Sequence, residues 1–288
     1  MKMLNRAAFS KTVVLAKAET HRSFGRAATC ALCAVWIPAQ LATIAGMTIF
    51  LSLPIQAAPP PTCKSTAHLT IDTGHMAPAE EMAAVLKKHN IKATFFLANE
   101  KTQRGDTSLD PSWAAFWKAR ADEGHAFGSH TWRHWYFRGD EGNKVRYIPW
   151  GKKEGELLDA KGVCAELKKS DDAFKAMTGR AMDPLWRAPG GKLTPNAEKF
   201  AKACGYQHVA WSPAGFSGDE LPADKYPAQK LITQQLANIR DGDILLWHLG
   251  IWSRKPPLYP EFETLLTGLQ AKGFCFARMT EHPQYKLK

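Results

Sequence analysis

From residue 67 to residue 277 short β-rich apolar runs alternate with stretches of helical periodicity, and this alternation constrains the fold more than any other feature. The extended runs are Ala67–Asp72, Lys92–Ala98, Ala126–Gly128, Asp183–Arg187, Gln207–Trp211, Asp243–Trp247 and Phe274–Ala277. The predicted helices are Ala79–Lys88, Pro111–Glu123, Gly155–Met177, Pro195–Cys204, Pro227–Arg240 and Phe262–Lys272. In the first helix Met82, Ala83, Val85 and Leu86 recur at helical spacing. Thr178-Gly179 is a stop signal after the third. Residues 138–153, rich in Gly, charge and aromatics, break the rhythm and are expected to form an inserted loop near the site. Strands separated by helices form a parallel sheet with the helices outside. With seven such units, a closed or nearly closed barrel is more economical than an open sheet. Chemistry in such barrels sits where the C-terminal strand ends meet. Asp72, Arg187, Trp211 and His248 all fall at those ends, so positions distant in sequence are expected to converge.

Just beyond the third strand lies Gly128-Ser129-His130-Thr131-Trp132-Arg133-His134. Two histidines four apart on one helical turn face the same point, which is how a short segment offers two nitrogen ligands to a zinc-like cation. Alone, such a pair also arises from packed or solvated histidines. Its company at the strand ends is what points to a site.

The formal net charge is +11, of which residues 1–57 carry +5, leaving +6 for the fold. That balance suits an anionic polymer or a membrane surface, although excess lysine on solvated helices explains it as well. No basic stripe interleaved with exposed aromatics is present, which argues against nucleic acid. Residues 1–58 read as a basic segment to Arg26 followed by an apolar run, Ala27 to Ala57, without an acidic or basic residue. A secretory signal peptide would be cut near Ile55-Gln56-Ala57. An uncleaved signal anchor, the only membrane association expected, or initiation further along the chain fits the same residues. Either leader implies export, to a periplasm or the exterior. Residues 59–65 form a Pro-rich linker, and 66–285 a single catalytic-size domain, expected to be monomeric. Cys63, Cys164, Cys204 and Cys275 remain beyond the leader without C-x2-C spacing, which suits two disulfides or buried thiols. In a nearly closed barrel Cys63, before the first strand, neighbours Cys275 in the last. Cys164 and Cys204 lie on helices flanking the strand that ends in Arg187, so those two pairings are expected.

Taken in order, Thr70-Ile71-Asp72-Thr73-Gly74, His130-Thr131-Trp132-Arg133-His134, Arg187-Ala188-Pro189-Gly190-Gly191 and Leu246-Trp247-His248 resemble motifs of the polysaccharide deacetylases with the NodB homology domain, carbohydrate esterase family 4. Ala93-Thr94-Phe95-Phe96 and Gly205-Tyr206 resemble its framework. The resemblance spans about residues 66–285. One motif is poor: Trp211 is present, but no acidic residue follows closely unless Asp219 serves.

The resemblance implies a distorted (β/α)7 barrel that removes N-acetyl groups from an N-acetylhexosamine polysaccharide of the cell envelope or exterior, using a divalent metal. Zinc is expected, with cobalt, nickel or manganese as alternatives. His130 and His134 are the implied ligands, Asp72 the base that takes a proton from water, and His248 the acid that protonates the leaving amine. Arg187 is expected to pair with Asp72 and orient it. Pro189, Gly190, Trp211 and Trp252 are the expected substrate contacts, and Trp132, Trp135, Tyr136 and Trp247 are further stacking candidates. The chain departs from the family at Thr73, where a second aspartate normally ligates the metal and a hydroxyl is a far weaker ligand. Asp72 could then be the ligand, or His75 a third nitrogen. His75 could equally cap its own loop. The remaining alternative is a catalytically impaired glycan-binding protein on the same fold.

Overall fold

The computed structural model describes residues 63–285. The expected leader and most of the linker lie outside the described residues. In chain order the elements are β1 (Ser65–Asp72), α1 (Ala79–Lys88), β2 (Thr94–Leu97), α2 (Ala114–Asp122), β3 (Ala126–Ser129), β4 (Tyr136–Glu141), β5 (Lys144–Ile148) and β6 (Glu156–Leu158). They continue with α3 (Ala160–Thr178), β7 (Leu185–Trp186), α4 (Pro195–Ala203), β8 (Gln207–His208), α5 (Ala228–Asn238), β9 (Ile244–His248), α6 (Phe262–Ala271) and β10 (Phe274–Ala277).

Seven of the strands form one parallel sheet. β1 lies centrally, its His68–Asp72 stretch paired with β9, Thr70–Asp72 with β2 and Ser65–His68 with β10. From β2 the sheet continues through β3 and β7 to β8. It curls as a barrel does, but β8 and β9 do not pair as strands. The segment after β8 crosses that gap, with Ser212 N–H donating to the Ile244 carbonyl at 3.0 Å and Ser217 N–H to Leu246 at 3.3 Å. The result is a distorted (β/α)7 barrel.

Every residue of β1 from Ala67 to Asp72 is buried, as expected of a strand covered on both faces. Leu69, Ile71, Phe95, Leu97, Leu245 and Trp247 pack outward against Met82 and Leu86 of α1 and Leu265, Leu266 and Leu269 of α6. Side chains alternate along a strand, so Thr70 and Asp72 point to the inner side. The expected Cys63–Cys275 and Cys164–Cys204 disulfides are both present, with Cα–Cα distances of 5.4 and 6.0 Å.

Three expectations change. Residues 138–153 are largely a second sheet: β4, β5 and β6 pair antiparallel, with Gly142-Asn143 as the turn between β4 and β5. Phe137, Val145 and Tyr147 turn inward from it, and this two-residue turn between alternating apolar positions is a hairpin signal. The long helix starts at Ala160 rather than Gly155, because Asp159 caps it by accepting from Gly162 N–H at 2.8 Å. The strands near Arg187 are shorter than expected, and Trp211 lies beyond β8. There the Arg187 guanidinium takes the carbonyls of Val209 and Ala210, at 3.1 and 3.3 Å, in place of a sheet ladder.

Candidate active site

Asp72, at the end of β1, is 2 % exposed and faces two partners. Arg187 Nη1 donates to its Oδ1 at 2.8 Å, and His130 Nε2 stands 3.4 Å from its Oδ2. Arg187 is wholly buried and anchored by the two carbonyls already named, so its pairing with Asp72 is fixed by the core. His248, directly beside Asp72 in the β1–β9 register, meets Asp219, the acidic residue that follows Trp211 at a distance. The Nδ1–Oδ1 distance is 2.9 Å, and Asp219 Oδ2 also accepts the His248 backbone N–H at 2.9 Å. Burial disfavours the protonated ring, but the Asp219 charge and hydrogen bond outweigh it, and the His248 pKa is pushed up to about 9.

The histidine pair is not on a helical turn. Residues 130–135 form an irregular bend in which Thr131 and His134 take φ of 64° and 55°. A β-branched residue in the left-handed region is strained by about 1–3 kcal/mol and persists only where neighbours hold it. Tyr147 Oη donates to Thr131 Oγ1 at 2.9 Å, and Glu166 accepts the Arg133 N–H at 3.0 Å. Backbone bonds from His130 N–H to Leu97 and from Asn99 N–H to Trp132, both 2.9 Å, staple the bend to the end of β2. Glu166 and Glu156 then grip the Arg133 side chain. Hairpin β4–β5, read from the sequence as a loop, thus supplies Tyr147 to brace the bend.

His130 Nδ1 lies 2.9 Å from the Arg187 carbonyl and must be the donor there, which leaves a lone pair on Nε2. Burial, followed by the neighbouring His134, holds the His130 pKa well below the usual value, so the ring is neutral. Its Nε2 faces Asp72 Oδ2. The His130 and His134 ring centroids are 4.8 Å apart. Thr73, expected at best as a weak ligand, instead donates from Oγ1 to Glu100 Oε2 at 2.6 Å and accepts the Ala98 N–H at 3.1 Å. Glu100 Oε1 lies 3.2 Å from His134 Nδ1. Two imidazoles with nearby carboxylates are donors of the type a zinc-like cation takes. As the side chains stand, no group of three His, Cys, Asp or Glu among the described residues is set to hold a metal ion.

The three-histidine alternative is not assembled. His75 Nδ1 accepts the Ala77 N–H at 3.1 Å, and its ring lies over Gly250 and edge-on to Trp252 at 5.2 Å. It caps its loop. Trp252 is 55 % exposed. Pro189 is buried while Gly190 is exposed at the surface beside Tyr136, and Gly191 lies under Trp211. A Cβ on Gly191, whose φ is 64°, would come within 2.7 Å of the Trp211 ring, so both steric space and backbone demand glycine there. Trp247 is buried against Phe262 and cannot reach a substrate. Glu100 was missed in the sequence, although it stands just past the second strand, where the strand-end rule applies to it as it does to Asp72.

A family model described as polysaccharide deacetylase matches residues 60–209. The chain is 23% identical over 220 residues to the peptidoglycan-N-acetylglucosamine deacetylase of Bacillus cereus, covering 76% of this chain and 68% of that one. Among solved structures, an acetyl xylan esterase of family 4 from Clostridium thermocellum, in complex with a cobalt ion, aligns with a TM-score of 0.57 at 19% identity, over 75% of this chain and 89% of that one. A CE4 family pseudoenzyme from Bacillus anthracis aligns at 0.56 and 21% identity, over 76% and 65%. Motifs, curled sheet and family match agree, and the chain belongs to the polysaccharide deacetylase family.

Proposed function

We propose that the protein is an exported, metal-dependent hydrolase that removes N-acetyl groups from an N-acetylhexosamine-containing polysaccharide of the cell envelope or exterior. The observation that carries this reading is the pair of oriented acid–base groups at one end of the sheet: Asp72 held by Arg187, and His248 held by Asp219. A catalytic domain of residues 66–285 behind an export leader completes the reading. Two disulfides support an oxidising compartment.

His130 and His134 would hold the cation, zinc by donor type with cobalt, nickel or manganese as alternatives. When bound, it supplies a Lewis acid for the amide carbonyl and lowers the pKa of water. Asp72 accepts a proton from the water whose oxygen adds to the carbonyl carbon. His248 then donates a proton to the amide nitrogen as the C–N bond breaks, releasing acetate and leaving a free amine on the sugar. Gly190, Trp211 and Trp252 border the substrate in this reading, and the buried Pro189 shapes the turn beneath Gly190.

The pseudoenzyme reading, a glycan-binding protein, draws on Thr73. Against it, a protein that only binds glycan has no need for a histidine tuned to remain protonated beside an Arg-held aspartate. Metal content of the purified protein and acetate release from an N-acetylated chitooligosaccharide and from peptidoglycan separate the two. Binding without acetate release, in the presence of zinc or cobalt, would sink the hydrolase.

A further inference from the structure

We propose that the outer face of the β4–β5–β6 sheet extends the cleft and, through Arg138 and Arg146, binds carboxylate groups on sugar residues neighbouring the one at the site. The preferred substrate is then an acidic N-acetylhexosamine polymer rather than a neutral one. The inference rests on the reading of the cleft as a polysaccharide site.

Three observations carry it. First, this face runs on from the site. The Tyr136 and His134 ring centroids are 6.2 Å apart, and Tyr136 packs on Gly190, where a Cβ would come within 2.9 Å of its Cζ. Tyr136 is thus a wall of the cleft and also the first residue of β4. The Arg138 guanidinium stands 4.7 Å from the centre of the Tyr136 ring, so both side chains leave the same face of the strand. Two residues span about 7 Å along a strand, which sets this charge one step out from the histidine bend.

Second, Arg138 has an unfavourable neighbour. Phe137 pairs with Tyr147 and Asp140 with Val145, so the irregular stretch Arg138-Gly139 stands opposite Arg146. Val145 and Tyr147 turn inward, which leaves Arg146 between them on the outer face. Both arginines are exposed, and neither forms an ion pair among the described residues. Like charges opposite one another on paired strands are destabilising. The carboxylates close by are engaged elsewhere: Asp140 accepts the Asn196 N–H, and Glu156 pairs with Arg133. Glu141 faces Lys144 in the register, and Glu154 follows Lys153 in the chain. The two arginines are surplus positive charge, and an anion from outside relieves their repulsion.

Third, the face is built before any ligand arrives. Asn196 fixes the hairpin, with its N–H on Asp140 Oδ2 at 2.9 Å and its Nδ2 on the Gly142 and Lys144 carbonyls at 3.0 and 2.9 Å. A groove of about 280 Å³ runs beside Arg146, lined also by Ile148, Lys153, Leu157 and the two glutamates just named. A guanidinium binds a carboxylate through two parallel N–H···O bonds, and a face already held in place loses little entropy on binding. Ordinary solvation accounts for the exposure of two arginines. It does not account for their placement opposite one another on the face that Tyr136 shares with the cleft.

The test uses peptide-free peptidoglycan strands, whose sugars carry carboxylates, and the same strands after the carboxylates are converted to amides. Affinity is measured by calorimetry and KM by acetate release with zinc or cobalt present, for wild type, Arg138→Gln, Arg146→Gln and the double variant. Wild type is expected to prefer the carboxylated strands by on the order of tenfold at low salt, and the preference should shrink at high salt because exposed charges are screened. Each single variant should lose up to about fivefold in affinity for carboxylated strands, and the double variant should bind the two kinds of strand equally. A variant that merely misfolds loses both kinds together and shows a lowered Tm. Equal affinity of wild type for carboxylated and amidated strands, or a preference that survives in the double variant, overturns the proposal; acetate release from both strands in that case leaves the hydrolase reading standing. A preference that depends on the two arginines, without acetate release from any strand, upholds the binding face and sinks the hydrolase.

Discussion

Replacing Asp219 by asparagine isolates the charge that tunes His248. Asp219 is 5 % exposed and His248's side chain 13 % exposed, so little solvent screens the pair. Burial pulls the His248 pKa down, while Asp219 outweighs it with its charge and hydrogen bond, to give a value of about 9. The amide would keep the size and an oxygen for the His248 N–H but lose the charge. The pKa is then expected to fall to about 6.5 or lower, since only the lesser charges remain to oppose burial. A ring with a pKa of about 9 is about nine-tenths protonated at pH 8, whereas one at about 6.5 is about 3 % protonated. If His248 protonates the leaving amine, kcat falls about 30-fold at pH 8 but only about fourfold at pH 7. The alkaline limb of the kcat profile should therefore move down by about two and a half pH units, and a proton NMR titration of His248 should follow it. An alkaline limb that stays near 9 in Asp219→Asn would refute the assignment of His248 as the acid. Stability gives the same sign independently of turnover. A histidine whose pKa rises from 6.5 unfolded to about 9 folded contributes fully below pH 6.5, and the contribution is lost as pH rises through 9. Its size is about 3 kcal/mol, so denaturant midpoints of wild type and Asp219→Asn should converge above pH 9.

Asp72→Asn is expected to abolish acetate release, with the cation retained; substantial residual turnover would remove Asp72 as the base. Gly74→Ala should lower Tm strongly, because a Cβ at that position would lie 2.0 Å from the Gly250 carbonyl oxygen, and such overpacking costs about 1–3 kcal/mol or more. A melt within a degree of wild type would show that the two loops separate readily. Cys63 and Cys275 close a loop of 212 residues, so Cys63→Ser with Cys275→Ser should destabilise by up to about 5 kcal/mol, and unchanged denaturant midpoints would remove that role.

Much of the site was legible because its residues obey local rules. Asp72 and His248 end strands whose periodicity is plain, and both disulfides follow from placing Cys63 beside the last strand and Cys164 on a helix near Cys204. The errors have physical causes. The H-x3-H spacing fits a helical turn, yet Thr131 and His134 sit in left-handed conformations that only Tyr147, Glu166 and the end of β2 can hold. Gly142-Asn143 carried a hairpin signal that the charged, aromatic composition around it obscured.

By itself the sequence determined the order of the helices and of the seven parallel strands, the ends at which Asp72, Arg187 and His248 stand, and the absence of an aspartate at position 73. Those depend on period, residue type and chain order, all of which are local. Which groups pair across the site was decided only by tertiary structure: Asp219 with His248 over 29 residues, Thr73 with Glu100 over 27, and Asp72 with Arg187 over 115. Such pairings depend on strand register and on the path of each loop over the sheet, and these are set by the packing of the whole fold rather than by the spacing of any segment.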